Sequence, residues 1–140
     1  MTAETRQTLR SPLLLSAGAL MGLSAVMDAF TSVPHLREDM AEIHVRPTLM
    51  RAVSLGLYFG AIAMFAFAAV VLIAGFRASR GRQVDRPSLV AIAAAYVVFG
   101  GTAFFVWGAS GHILGYAFAG LLIVVAVLLP QPEGAAADPS

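Results

Sequence analysis

Four long apolar stretches divide this chain and constrain its fold more than any other feature. They run from about residue 12 to 33, 47 to 76, 87 to 108 and 111 to 129. A helix needs about 20 residues to cross the hydrocarbon core of a bilayer, and the four stretches are close to that length or longer. None has the alternating polarity of a barrel strand, so backbone hydrogen bonds must form within helices. The sequence therefore predicts an all-α integral membrane protein with a four-transmembrane-helix bundle.

Composition agrees with a membrane-embedded chain and excludes several kinds of chemistry. Hydrophobic residues make up 59% of the 140 residues and charged residues only 12%, whereas soluble domains carry about 25% charged residues. The net charge of +1 lacks the basic excess that nucleic-acid binding needs, so no nucleic-acid partner is expected. The chain has no cysteine, and all nine basic residues are arginine. Disulfides, thiolate catalysis and lysine Schiff bases are therefore excluded.

The chain is predicted to form one membrane domain over residues 1–130. Ser11 is a candidate N-cap for the first span, with Pro12 at the first helical position. A cleaved signal peptide is an alternative for this span, because two arginines precede its apolar run. The tail 131–140 is rich in Pro, Gly and Ala and is predicted to be disordered.

Arginine placement predicts the orientation of the four spans. Six arginines fall on one side of the membrane and three on the other: Arg6, Arg10, Arg77, Arg80, Arg82 and Arg86 against Arg37, Arg46 and Arg51. Because cytoplasmic flanks carry the excess of basic residues, both termini are predicted to be cytoplasmic. The stretch "RASRGRQVDR" is then a cytoplasmic loop that contacts anionic lipids or a partner. Arginine-only, alanine-rich usage is typical of a GC-rich bacterial genome, so the predicted location is the bacterial inner (plasma) membrane.

Residues 34–47 separate the first two spans and have an amphipathic pattern. Leu36, Met40 and Ile43 recur at helical spacing, and most of the residues between them are charged. This pattern predicts a short amphipathic interfacial helix between helices 1 and 2.

A histidine and carboxylate cluster is predicted beside this helix, because the topology brings all three histidines to one side of the membrane. The candidate polar or metal cluster consists of His35, Glu38, Glu42, His44, His112 and Tyr116. Such a donor set suits zinc or another divalent metal. The alternative is that the acids pair locally with arginines and lipid headgroups while the histidines are solvated. No cofactor is predicted firmly, since no compact metal motif is present.

Asp28 is the only acid predicted to lie inside a span, about a turn and a half from the end of the first one. A carboxylate at that depth is costly without a partner. Arg51 enters the second span by about one turn, so an antiparallel hairpin places the two at similar depth. The sequence predicts an Asp28–Arg51 ion pair, or a proton site at Asp28.

Three G-x-x-x-G pairs predict close helix packing, because lipid offers no hydrophobic drive for helix association. The predicted packing residues are Gly18, Gly22, Gly56, Gly60, Gly111 and Gly115. The pattern leaves open whether these faces pack within one chain or between copies.

No nucleophile with its base, phosphate loop or dinucleotide fingerprint occurs. The primary prediction is therefore a small multi-pass binding, assembly or regulatory module rather than an enzyme. Its expected partners are the lipid bilayer and either a second copy or another membrane protein. Two alternatives stay open: a small transporter or proton-coupled carrier that uses Asp28, and a membrane metal-binding protein or enzyme that uses the histidine cluster.

Overall fold

The computed structural model describes residues 3–107 and 111–129, with side chains for 9–106 and 114–129. The helices are α1 (Ala3–Met27), a π-helical segment (Asp28–Ser32), α2 (Val33–Glu42), α3 (Pro47–Ser79), α4 (Arg86–Trp107) and α5 (Gly111–Leu128). Within the described ranges the secondary structure is entirely helical, as predicted. The tail 131–140, predicted to be disordered, lies outside the described residues.

Three helical segments are long and apolar enough to cross a membrane. They are Leu9–Glu42, Pro47–Ser79 and Arg86–Val106, and the apolar stretch Leu114–Leu128 is shorter. Large apolar side chains cover the outside of the molecule: Phe105 is 87% exposed and Phe59 is 73% exposed. A surface of this kind is unstable in water and matches lipid.

The first helix differs from its predicted form at both ends. It begins at Ala3, so Ser11 is not an N-cap and Pro12 lies inside the helix. An internal proline removes one backbone hydrogen bond, and the neighbouring turns keep the helix intact. At its other end, α1 runs through the π-helical segment directly into α2 with no non-helical residue between them. The predicted amphipathic helix 34–47 is therefore a continuation of α1 that ends at Glu42.

The helices pack in the order α3, α1, α5, α4. Helix α1 lies against both α3 and α5, and α4 lies against α5; among the described residues α3 and α4 have no extensive contact. Helix α1 is thus central, and its Leu14, Ala17 and Met21 are fully buried. Val84, in the loop between α3 and α4, is buried in the same core.

Glycines bring the helices of the α1/α3 pair together. A methyl group added at Gly18 would lie 2.7 Å from Cγ of Leu72, and one added at Gly75 would lie 2.9 Å from Leu15. Each glycine therefore receives a leucine of the opposite helix, and their backbones approach closely. The hydroxyl of Ser11 adds a hydrogen bond to the carbonyl oxygen of Gly75, at 3.1 Å.

The α4/α5 pair is built in the same way. A methyl group at Gly100 would lie 2.7 Å from the backbone nitrogen of Ala117, and one at Gly120 would lie 2.9 Å from Val97. Backbone rather than a flexible side chain meets Gly100, so this contact has little room to adjust.

The predicted glycine pairs contribute unequally to packing within the chain. Gly18 is in tight contact, whereas a methyl group at Gly22 would meet Ala68 at an ordinary 3.8 Å. Gly56, Gly60 and Gly115 have open space around the added methyl position. The remaining predicted glycine, number 111, begins α5, and its surroundings lie outside the described part of the chain.

Candidate functional site

Asp28 is the first residue of the π-helical segment, at the junction of α1 and α2. The backbone carbonyl of Asp28 accepts a hydrogen bond from the N–H of Val33, five residues later. A π-helical turn widens the helix locally and is frequent at functional sites. Asp28 is half-buried, and it continues the stripe of buried residues that includes Met21 and Ala25. Its side chain points towards α5, where it contacts Tyr116.

Each oxygen of the Asp28 carboxylate accepts a hydrogen bond from a hydroxyl group. The hydroxyl of Tyr116, on α5, donates a hydrogen bond to Oδ2. The hydroxyl of Ser32 donates to Oδ1 at 3.1 Å from within the same π-helical segment. The first bond links α1 to α5, and the second holds the carboxylate in place from its own helix. We call these groups, together with Tyr96, the Asp28 cluster.

Aromatic rings surround the Tyr116 side of the cluster. The ring of Tyr96, on α4, lies edge-on to Tyr116 with centroids 6.2 Å apart, and Phe99 lies edge-on at 5.2 Å. Tyr96 and Tyr116 are each only 5% exposed. Such edge-to-face pairs add about 0.5–1.5 kcal/mol beyond the apolar area that they bury. Three helices therefore meet at this point.

The hydroxyl of Tyr96 is buried, and no other described group bonds to it. The Tyr96 ring lies against Tyr116, which itself bonds to Asp28. A buried hydroxyl without a partner costs free energy, typically about 1–3 kcal/mol. Beside the phenol that bonds to Asp28, the Tyr96 hydroxyl is an unused donor and acceptor of the Asp28 cluster.

Arg51 is not the partner of Asp28 in the structure. Its side chain is exposed on α3, and the ion pair found within 4.0 Å in the described side chains joins His35 and Glu38 instead. The hairpin argument matched the depth of the two residues but not the face of α1 on which Asp28 lies. Tyr116, which the sequence assigned to the histidine cluster, takes the place of Arg51.

The described histidines and carboxylates of the predicted cluster are exposed and do not converge on a common site. His35 Nδ1 lies 3.8 Å from Glu38 Oε2, and both side chains are 76% exposed. Glu42 and His44 are also exposed, and His44 has a positive φ of 58° in the turn after α2. No three His, Asp or Glu side chains among the described residues lie together as a metal site. The side chain of His112 lies outside the described residues, so its part in this cluster stays a prediction.

Comparison of the chain with protein-family models, curated proteins and solved structures gives no match. A carboxylate with two hydroxyl donors can be ionised in a largely apolar setting, because each donor stabilises the charge. The same carboxylate can bind a proton or a cationic group from its half-exposed side.

Proposed function

We propose that this chain is a small multi-pass membrane protein that binds a proton at Asp28 and acts as a binding or regulatory module. One observation carries the proposal: the buried hydroxyl of Tyr116 donates a hydrogen bond to the half-exposed carboxylate of Asp28 across two helices. An ionisable side chain inside a helical membrane domain is costly, and it is usually retained for function.

Protonation of Asp28 changes the bonding between α1 and α5. The ionised carboxylate only accepts, and hydrogen bonds to it are roughly twice as strong as neutral ones. The protonated carboxyl group is a weaker acceptor and gains one O–H donor. In this proposal the acceptor for that donor is the unpartnered hydroxyl of Tyr96, whose ring lies against Tyr116. Proton uptake thus weakens the bond to Tyr116 and favours a bond towards α4.

The π-helical segment connects this event to α2. Asp28 begins the segment, and α2 follows it without interruption. A change in the bonding of Asp28 therefore acts on the helix that carries the exposed His35 and Glu38. In this proposal α2 lies at the outer surface of the membrane and presents the response to a second copy or to another membrane protein.

The proposal includes four membrane crossings, with both termini cytoplasmic, in a bacterial inner membrane. The excess of arginine at one end of the helices supports this orientation. The apolar exterior supports a lipid environment on all sides of the four helices.

Infrared difference spectroscopy on the purified protein tests proton binding directly. A protonated carboxyl group has a C=O stretching band separate from the amide and carboxylate bands. We expect a pH-dependent carboxyl band in the wild type that Asp28→Asn removes. Tyr116→Phe should shift the frequency of this band, because it removes a hydrogen-bond donor to the same group.

Asp39→Asn is the matched control, because Asp39 is an exposed acid on the neighbouring α2. This variant should leave the band assigned to Asp28 unchanged. A spectrum in which Asp28→Asn and the wild type titrate alike would refute proton binding at this residue.

A proton-coupled carrier is the second candidate, favoured by the position of Asp28 between the exposed surface and a buried partner. In a proton-coupled carrier the acid must be accessible from the protein surface and must also be linked to polar groups within the helix bundle. Asp28 is half-exposed, so it meets the first condition. The test is uptake of a lipophilic cation, tetraphenylphosphonium, into vesicles with an imposed pH gradient. Uptake that is equal in wild-type and Asp28→Asn vesicles removes the carrier and leaves the regulatory proposal to the infrared result.

A further inference from the structure

Arg10 lies near the opposite end of α1 from Asp28 and is buried, and two of its three guanidinium nitrogens have no hydrogen-bond acceptor among the described residues. Eighteen residues separate Arg10 from Asp28, which is about 27 Å along a helix axis. The side chain of Arg10 is only 3% exposed, and its Nε and Nη2 atoms are buried with no hydrogen-bond acceptor among the described residues. A guanidinium keeps its charge in proteins, so Arg10 is a buried cation that has no ion pair among the described residues. Such a charge costs several kcal/mol unless an anion accompanies it.

A second arginine lies at the same end of the helices as Arg10. Asp28, at the end of α1, bonds to Tyr116 near the start of α5, so the last turn of α5 lies towards the Arg10 end of α1. Arg86, at the start of α4, bonds to Leu129 at that end of α5. The carboxylate adjacent to Arg86 in the sequence, Asp85, accepts a hydrogen bond from the hydroxyl of Ser88. In the described part of the chain no ion pair reaches Arg10. Arg10 and Arg86 therefore lie at the same end of the helices, and among the described residues neither has an ion pair.

Arg86 also stands at the edge of an apolar cleft between α4 and α5. The cleft has a volume of about 670 Å³ and is lined by Arg86, Pro87, Val90, Ala91, Val127 and Leu128. Arg86 donates a hydrogen bond from Nη2 to the carbonyl oxygen of Leu129, at 3.0 Å. This bond holds the guanidinium at the end of α5, above apolar walls. Val90 and Leu128 are 52% and 77% exposed, so lipid can reach the cleft.

We propose that Arg10 and Arg86 bind the phosphodiester group of an anionic phospholipid, with an acyl chain of that lipid in the apolar cleft. Guanidinium groups match phosphate oxygens in geometry and charge, and they often form two parallel hydrogen bonds to them. The lipid supplies both features that the site lacks, a negative charge for two arginines and an apolar cover for the cleft. Anionic lipids of the cytoplasmic leaflet are the natural source, because this end of the helices is the arginine-rich one.

Native mass spectrometry and thermal unfolding of the detergent-purified full chain test the proposal. The probes are phosphatidylglycerol, phosphatidylcholine of the same chain length and inorganic phosphate. We expect phosphatidylglycerol to be retained and to raise Tm, with little effect from the other two. Arg10→Gln should weaken phosphatidylglycerol binding by about ten- to a hundred-fold, the loss of a hydrogen bond to a charged group. Equal stabilisation by inorganic phosphate or by phosphatidylcholine would overturn the choice of ligand.

Two control variants separate lipid binding from a structural role of Arg10. Arg80→Gln removes an exposed arginine from the same end of the molecule and should keep lipid binding. Without lipid, Arg10→Gln should have a Tm no lower than that of the wild type, since it removes an unpaired buried charge. A lower Tm in lipid-free detergent would mean that the chain itself neutralises Arg10, and the proposal would fail.

The C-terminal tail offers two acids of its own, Glu133 and Asp138. The double variant Glu133→Gln, Asp138→Asn should leave both Tm and lipid binding unchanged. If this variant loses lipid-free stability, the tail rather than a lipid provides the anion. Should Arg10→Gln fail to fold, Arg86→Gln measures the same loss of phosphatidylglycerol binding from the other arginine. Asp28→Asn should retain full lipid binding, so this result is independent of the proton proposal.

Discussion

The hydrogen bond between Asp28 and Tyr116 can be measured as a coupling free energy between two substitutions. Tyr116→Phe removes only the hydroxyl and keeps the ring that packs against Tyr96 and Phe99. Asp28→Ala removes both acceptor oxygens, whereas Asp28→Asn keeps one carbonyl acceptor, removes the charge and replaces the other oxygen with an NH2 donor. The cycle therefore uses Asp28→Ala, with Asp28→Asn as a milder form of the same perturbation.

The expected magnitude follows from the two hydroxyl donors to the carboxylate. Hydrogen bonds to charged groups contribute about 1.5–3 kcal/mol in soluble proteins, but polar contacts between membrane helices average about 0.6 kcal/mol, with a maximum of about 1.7 kcal/mol. Asp28→Ala also removes the acceptor of Ser32. This loss is the same with or without the Tyr116 hydroxyl and cancels in the cycle, which therefore reports the Tyr116 bond alone. We expect a coupling of about 1–1.7 kcal/mol between Asp28→Ala and Tyr116→Phe.

Unfolding in mixed detergent micelles, followed by circular dichroism, provides the free energies of unfolding. The matched control is the cycle of Asp28→Ala with Arg51→Gln, where the structure has no ion pair in the described residues. These two substitutions should add to within about 0.3–0.5 kcal/mol, as independent sites do. Additivity in the Tyr116 cycle together with strong coupling in the Arg51 cycle would refute the geometry described above and restore the hairpin ion pair.

Two further predictions address topology and packing. Reporter fusions at residue 140 and near residue 83 should both report the cytoplasm, because arginine is concentrated on that side; an external signal from either contradicts the four-span orientation. Gly100→Ala should lower the free energy of unfolding by about 1–3 kcal/mol, since its methyl group meets the backbone nitrogen of Ala117 at 2.7 Å. A methyl group at Gly56 has open space, so Gly56→Ala should be neutral, or stabilising by up to about 1 kcal/mol through helix propensity. If both variants lose the same free energy of unfolding, the close α4/α5 contact at Gly100 is not the cause of the loss.

The glycine pattern illustrates how far sequence motifs reach. The G-x-x-x-G rule identified Gly18, which packs tightly on Leu72, but also Gly56 and Gly60, which pack against nothing in the described structure. It did not select Gly75 or Gly120, both of which do meet the opposite helix. The motif records that a small residue is available on a helix face, and only the neighbouring helix decides whether that face is used.

The Asp28 cluster shows the same limit for polar residues. Sequence reasoning identified Asp28 as the intramembrane acid and Tyr116 as a polar residue on the same side of the membrane. Two residues can form a pair only if they lie at the same depth in the membrane and on helix faces that point towards each other. Hydropathy indicated the depth of each residue but not its helix face. The spacing from Met21 and Ala25 to Asp28 was the available signal, since it places the acid on the buried stripe of α1. Tyr96 had no signal of its own, because a lone tyrosine in an apolar run looks like any packing aromatic.

The sequence by itself determined α3, α4 and α5 closely, because hydropathy acts over about 20 consecutive residues and needs no tertiary contact. It did not determine the ends of the first helix, which extend beyond the apolar run into polar residues. The segment predicted over 47–76 is α3 at Pro47–Ser79, and the one predicted over 87–108 is α4 at Arg86–Trp107. Only the tertiary structure decided the order α3, α1, α5, α4 and the partners of each polar group. The helix order and the polar partners depend on which helix faces pack together. Hydrophobicity does not select these faces, because in an apolar helix nearly every face is as apolar as the surrounding lipid. A hydroxyl from α5 reaches Asp28 because α5 packs against α1, and that neighbour is a property of the assembled helices alone.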